Sequence, residues 1–175
     1  MSTAIGRPET TEFAEFYAGY ISKVPGGDVV QFLQQQLATT SDTLRSISEA
    51  NGDFRYEAGK WSIKELLGHI IDAERVFAYR ALVFARNDST PLPGFDQDPW
   101  SQHANYANLK LSDIAAEFDA VRRSTIHLFR HLDAPSWSRK GIANKNGMTV
   151  RAAAFVIAGH AQHHLDILNS RYLQK

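Results

Sequence analysis

Residues 149–173 read TVRAAAFVIAGHAQHHLDILNSRYL. The fold turns on this stretch. It is long, mostly apolar and free of proline, and it places His160, His163 and His164 within five positions. A helix turns about 100° per residue, so each side chain can be placed around its axis. With His160 as zero, Ala153, Val156, Ile157, Ala161, His164, Ile167 and Leu168 fall in an arc from roughly −40° to +100°. Arg151, Gln162, Asp166 and Asn169 occupy the opposite side. The spacing predicts an amphipathic helix that starts at Thr149, runs nearly to the end of the sequence and turns His160 and His164 inward. His163 lies about 60° beyond His160, at the edge of the arc, and is the weaker candidate.

Outward from this helix the chain reads as three more. After KVPGGD, the segment from Val29 to about Ile47 places Val30, Leu33, Leu37, Leu44 and Ile47 at helical spacing, with Asp28 as N-cap. WSIKELLGHIIDAERVFAYRALVFAR, from Trp61 to about Arg86, opens on a capping box, Ser62 and Glu65, with Trp61 and Leu66 available as a hydrophobic staple. LSDIAAEFDAVRRSTIHLFRHLD starts with Ser112 as cap and ends before Pro135. Between the second and third helices, Pro91, Pro93, Gly94 and Pro99 are expected to exclude regular structure, leaving a long loop to about Lys110. SWSRKGIANKNGM, a basic connection, suggests a short hairpin at NKNG. A further short helix is expected around EFAEFYAGY near the N-terminus. Four long amphipathic helices without a sheet predict an all-α protein, a four-helix bundle with long connecting loops.

The second helix carries one inward histidine. With His69 as zero, Leu66, Ala73, Val76, Phe77 and Phe84 lie within about 80° of it. Glu65 and Asp72 flank His69 one turn away on either side, on a common edge. Arg80 also projects inward, three turns along. The third helix is an internal control. His127 and His131 are also four apart, but the apolar stripe of Ile114, Phe118, Val121, Leu128 and Leu132 lies on the far side of that helix. Histidines at this spacing on a solvated face carry no meaning. Three imidazoles buried without partners would each cost free energy. They are either hydrogen-bonded core groups or, since neutral imidazoles donate lone pairs to divalent metals, a site of the open three-histidine kind.

Composition bounds the rest. The chain has 175 residues, enough for one domain spanning 1–175 with its core at about 28–172; 43% are hydrophobic, 22% are charged and the formal net charge is zero. No basic excess supports a nucleic-acid partner. No window approaches the ~18 apolar residues of a membrane span. MSTAIGRPETTEFAEFYAGY has no basic region followed by an apolar run, so no signal peptide is expected. There is no cysteine. Any metal must rest on nitrogen or oxygen ligands, any thiol in the chemistry must come from outside, and the reducing cytoplasm is the expected compartment.

WSIKELLGHIIDAERVFAYRAL, followed about ninety residues later by TVRAAAFVIAGHAQHHLDIL, resembles the DinB-like (damage-inducible) superfamily of metal-binding four-helix bundles. The distinctive parts are a tryptophan-led second helix with one histidine and a fourth helix with H-x-x-x-H. RNDSTPLPGFDQDPW also looks like a loop of one branch of the superfamily. The resemblance covers about residues 28–172. It implies metal ligands at His69, His160 and His164, the positions that helical geometry turns inward; zinc and nickel occur in such sites. It also implies a relation to bacillithiol transferases and mycothiol-dependent isomerases, where a metal helps to activate a low-molecular-weight thiol, and a possible homodimer.

The expected function is therefore a metal-dependent enzyme acting on a small-molecule substrate, with a thiol or water as nucleophile (transferase-like or hydrolase-like). The alternative is a non-catalytic metal- or ligand-binding bundle. Glu65 and Asp72 are candidates to hold an imidazole N–H or take a proton, unless they are simply exposed helix acids. Arg80 either anchors an anionic substrate or neutralises a carboxylate. Phe95, Asp96, Asp98 and Trp100 either lid the pocket or plug the end of the bundle.

Overall fold

A computed structural model describes residues 5–174. Its long helices are α2 (Val29–Ser46), α3 (Ile63–Ala85), α5 (Leu111–Arg130) and α6 (Val150–Ile167), with a short helix α1 (Ala18–Ile21) before them and another, α4 (Gln97–His103), between α3 and α5. Local chemistry sets the boundaries. Asp28 accepts from the Val30 amide at 2.8 Å at the start of α2. Ser62 and Glu65 form the predicted capping box of α3. Thr149 caps α6 by accepting from the Ala152 amide. Past Ile167 the chain continues as a π-helical turn, Leu168–Tyr172.

The four long helices close a ring. α3 packs on α6 and α5, and α2 packs on α5 and α6. Helices consecutive among the four, α2 then α3 and α5 then α6, therefore sit across a diagonal rather than side by side. The connections of those two pairs must cross an end of the bundle, whereas α3 and α5, joined by the longest connection, are neighbours. At its centre Arg122, from α5, bonds both carboxylate oxygens of Glu74, from α3, and donates to Gln36 Oε1, from α2. Gln36 in turn donates to the Ala158 carbonyl of α6 at 3.1 Å. One buried polar network thus touches all four helices.

Three local expectations are corrected. The segment after Pro93 is not irregular throughout, because Gln97–His103 is helical, capped by Asp96. Pro99 sits in its first turn, where a missing N–H removes no helical hydrogen bond. Ser112 is not the cap of α5. The helix starts at Leu111 with Lys110 at the N-cap, and its first amide is satisfied from elsewhere, by Glu49 Oε1 at 2.6 Å. The buried face of α5 is also rotated from the predicted stripe. Arg122, Thr125, Ile126 and Phe129 are buried, while Val121, Leu128 and Leu132 are only half-buried. Pairing with Glu74 draws Arg122 inward. His127 and His131 are exposed, as expected.

The predicted hairpin forms, with β1 (Lys140–Ala143) antiparallel to β2 (Asn146–Thr149). Asn144 and Lys145 make its turn, both with positive φ (50° and 64°). Leu92 bonds to this hairpin through the Ile142 carbonyl and the Asn144 amide, which fixes the start of the segment leading to α4. At the N-terminus, single 3-10 turns at Thr10–Glu12 and Glu15–Tyr17 lead into α1, which crosses α6. The crossing needs Gly159, since a Cβ there would sit 1.9 Å from the Tyr20 carbonyl oxygen.

Candidate metal centre

His69 projects from α3, and His160 and His164 from successive turns of α6. Each is less than a tenth exposed. One ring nitrogen of each lies within 4.8 Å of the corresponding nitrogens of the other two. His69 Nε2 and His160 Nε2 are 3.0 Å apart. Two donors each 2.0–2.1 Å from a tetrahedral ion would be roughly 3.3–3.4 Å apart, so this spacing is close to that of a shared ligand set. His163 is half-buried, stacks edge-on to Tyr20 and His164, and takes no part in the cluster.

Electrostatics keep the three rings neutral. Burial pushes the His69 pKa down to about 4, against an opposing pull from Asp98. Burial, reinforced by His69 and His163, pushes His164 down to about 3. Burial and the three neighbouring imidazoles hold His160 well below its usual value. Neutral imidazole is the form that donates to a metal. His164 Nδ1 is buried with no hydrogen-bond partner, and such a nitrogen carries a desolvation cost. Three neutral nitrogen donors on two rigid helices, with no carboxylate in the cluster, fit a divalent transition ion.

The surrounding residues hold the rings in place. The Trp61 ring lies 4.7 Å from that of His69, and the Trp61 carbonyl accepts from the Tyr172 hydroxyl at 2.7 Å. The last turn of the chain thereby secures the residue that covers His69. Tyr20, from α1, packs edge-on to His160 at 5.3 Å.

A small cavity of about 10 Å³ adjoins His69, lined also by Glu65, Asp72, Phe95, Trp100 and Tyr106. It is about the size a single water needs. Asp72 is half-buried. Burial raises its pKa, opposed by a hydrogen bond from Tyr106 and by Arg75. Glu65 lines the same cavity, but Arg55 grips it at 2.6 Å and the Ser62 amide donates to it at 2.7 Å. Burial alone would raise its pKa, yet these bonds hold it below the usual carboxylate value. Arg80 is absent from this cavity and lies farther along α3 against Pro93, Phe77 and Phe95. Phe95 and Trp100 stand 5.1 Å apart, and both line the cavity wall.

Sequence reasoning missed Tyr106 and Tyr20, on segments without long periodicity, and Tyr172, in the π-helical turn that ends the fourth helix. The clue to Tyr106 was Gly68, directly before His69: a Cβ at Gly68 would meet the Tyr106 ring at 2.1 Å.

Comparison with known proteins places the chain among others of this architecture. A relative from Oceanobacillus iheyensis, named "Putative metal-dependent hydrolase", is 26% identical over 148 residues, covering 82% of this chain and 84% of its own. The structure of Bacillus subtilis YfiT, described as "a probable metal-dependent hydrolase with an unusual four-helix bundle topology", superposes with a TM-score of 0.72 at 17% identity, over 81% of this chain and 82% of YfiT. The mycothiol-dependent maleylpyruvate isomerase superposes with a TM-score of 0.66 at 11% identity, over 79% of this chain but 58% of the isomerase. These two structural likenesses establish a shared fold. The family profile of the DinB superfamily matches residues 32–168, and the chain belongs to that superfamily.

Proposed function

We propose that the protein is a metal-dependent enzyme in which His69, His160 and His164 hold a divalent transition metal, zinc or nickel, and that the centre activates a small thiol or a water molecule. One observation carries this reading: buried neutral imidazoles from two helices bring their nitrogens within 4.8 Å of one another. Three protein donors are what catalytic sites use when a position is kept for substrate. A divalent ion held there would supply Lewis acidity, making a water or thiol nucleophilic near neutral pH.

The chain's own residues do the remaining work. Trp61 fixes the plane of His69. Asp72, beside His69 and raised by burial, accepts the proton of the incoming nucleophile. Tyr106 aims that carboxylate. Glu65 is committed to Arg55 and the helix cap, so its part is to brace the first turn of α3. Phe95 and Trp100 narrow the entrance and exclude bulk water. Without cysteine, the chain would receive a thiol only as a substrate. The names of the relatives allow both nucleophiles, a hydrolase using water and an isomerase depending on mycothiol. A small-thiol substrate would place the protein in the cytoplasm; none of the described helices is long and apolar enough to cross a membrane.

Elemental analysis of protein purified without an affinity tag tests the centre. Stoichiometric metal is expected in the wild type and in His127→Ala, and its loss is expected in His160→Ala and His164→Ala. Metal-free wild type that stays metal-free after incubation with zinc or nickel would overturn the reading. Thiol transfer to a model electrophile and hydrolysis of model esters and amides then separate the two nucleophiles.

A further inference from the structure

Arg80 and Arg122 are the two largest fully buried side chains, and the fold treats them differently. Arg122 is neutralised by Glu74 at 2.9 Å. Arg80, 2% exposed, has no carboxylate within ion-pair distance among the described residues. Its Nη2 donates to the Pro93 carbonyl at 3.0 Å, and the guanidinium also stands within hydrogen-bonding reach of the neutral Tyr17 hydroxyl. Its guanidinium otherwise lies over the Phe77 and Phe95 rings, 4.9 Å and 5.8 Å from their centres. A guanidinium has five N–H donors, and a buried charge left without a counter-ion is costly.

Arg80 lies at the base of a cavity of about 410 Å³, within the size range of small-molecule sites. Its walls are mostly apolar, formed by Val76, Tyr79, Leu92, Phe95 and Trp100. Tyr79 and Trp100 are 57% and 45% exposed, unusually open for aromatic rings. Arg75, the other arginine at this cavity, is already paired with Glu117 at 2.7 Å. Asp72, Phe95 and Trp100 line both this cavity and the small one at His69. A ligand held here therefore lies against the wall of the candidate metal centre.

We propose that this cavity binds an amphipathic organic acid, with its carboxylate on Arg80 and its apolar or aromatic body against Val76, Tyr79 and Leu92. The anion supplies the counter-charge that Arg80 lacks, through charge-assisted hydrogen bonds from donors the protein leaves free. A neutral ligand of the same shape gains only the apolar contact. An amine adds like-charge repulsion. The binding itself does not depend on the metal-enzyme reading; the further role of the occupant as substrate does rest on it.

The test uses the metal-free full-length protein and three probes with one common body: phenylbutyrate, phenylbutanol and phenylbutylamine. Binding is followed by protein-observed NMR titration. The acid is expected to bind about tenfold or more tighter than the alcohol, and the amine weakest. Val76→Trp, which fills the cavity while keeping the Arg80 side chain, is expected to abolish binding of the acid. Arg80→Met is expected to reduce the acid to the affinity of the alcohol. If that variant fails to fold, the wild-type series and Val76→Trp decide. No binding by the acid, equal binding of acid and alcohol, or binding that survives Val76→Trp each overturns the proposal. Acid binding without any metal uptake would sink the metal-enzyme reading and leave this site standing; metal uptake without acid selectivity would do the reverse.

Discussion

The Tyr106 hydroxyl donates to Asp72 Oδ1 at 3.0 Å, and the two residues share the cavity wall with His69. Burial raises the Asp72 pKa, and the Tyr106 hydrogen bond pulls it partly back by favouring the charged form. Tyr106→Phe removes that pull, so the Asp72 pKa rises further. If Asp72 takes the proton, the acidic limb of the pH–rate profile moves to higher pH in Tyr106→Phe, with activity recovered at high pH. Asp72→Asn loses activity by about 10²–10⁴-fold at all pH values. A profile unmoved by Tyr106→Phe would remove Asp72 as the base.

The buried histidines predict how the metal-free protein responds to acid. Their pKa values are depressed in the fold, to about 4 for His69 and about 3 for His164. Unfolded, each titrates near 6.5. Below that value the unfolded chain binds protons that the folded chain does not, so stability falls as pH drops from about 6.5 towards 4 and is unaffected by these groups above 6.5. Each group contributes a slope of up to about 1.4 kcal/mol per pH unit within the window. Urea midpoints of the metal-free protein measured across that window should show the fall, and His164→Leu should make it shallower. A flat curve from neutral pH to 4 would contradict the burial of neutral imidazoles.

Metal binding adds to folding stability, because the three donors converge only in the folded chain. At a free metal concentration a hundred times the dissociation constant, the gain is about 2.7 kcal/mol. Thermal denaturation with zinc or nickel against chelator should show a rise in midpoint for the wild type and none for His160→Ala. An equal rise in both proteins would place the metal elsewhere.

The sequence carried the four long helices and the inward histidines because both are periodic: apolar residues recur at helical spacing, and His69, His160 and His164 fall within those stripes. What it hid was polar. Glu74 and Arg122 stand out in no sequence pattern, since neither displays its partner 48 positions away. Their pairing rotates the buried face of α5 away from the predicted stripe. The cap of α5 was hidden for the same reason, because its acceptor, Glu49, belongs to another segment. The helix at Gln97–His103 was obscured by Pro99, read as a breaker although it stands in the first turn. Tyr106 has no periodicity of its own and reaches Asp72 only because Gly68 leaves room for its ring.

Gly159 predicts a separable effect on the N-terminal segment. A Cβ there would fall 1.9 Å from backbone that cannot swing aside, the Tyr20 carbonyl of α1. Gly159→Ala should improve helix propensity in α6 by about 1 kcal/mol, yet overpacking costs about 1–3 kcal/mol and outweighs it. The expected outcome is a lower thermal midpoint with α1 displaced, seen as faster proteolysis near Tyr20. A variant as stable and as protease-resistant as the wild type would mean that α1 does not cross α6 here.

The Arg122–Glu74 pair joins α5 to α3 in the middle of the bundle, with side-chain exposures of 0% and 2%. Removing one partner leaves an uncompensated buried charge. Glu74→Gln and Arg122→Met are each expected to destabilise by about 3–5 kcal/mol. Replacing both by apolar residues, Glu74→Leu with Arg122→Met, removes both desolvation costs and should recover most of that loss. Recovery is expected to be incomplete, because Gln36 Oε1 loses the donor at 2.6 Å that now satisfies it. Adding Gln36→Leu removes that orphan but also breaks the bond to the Ala158 carbonyl on α6. Denaturant midpoints across these variants measure the coupling. Losses that simply add, with no recovery in the Glu74→Leu and Arg122→Met double variant, would show that the two charges do not compensate each other inside the bundle.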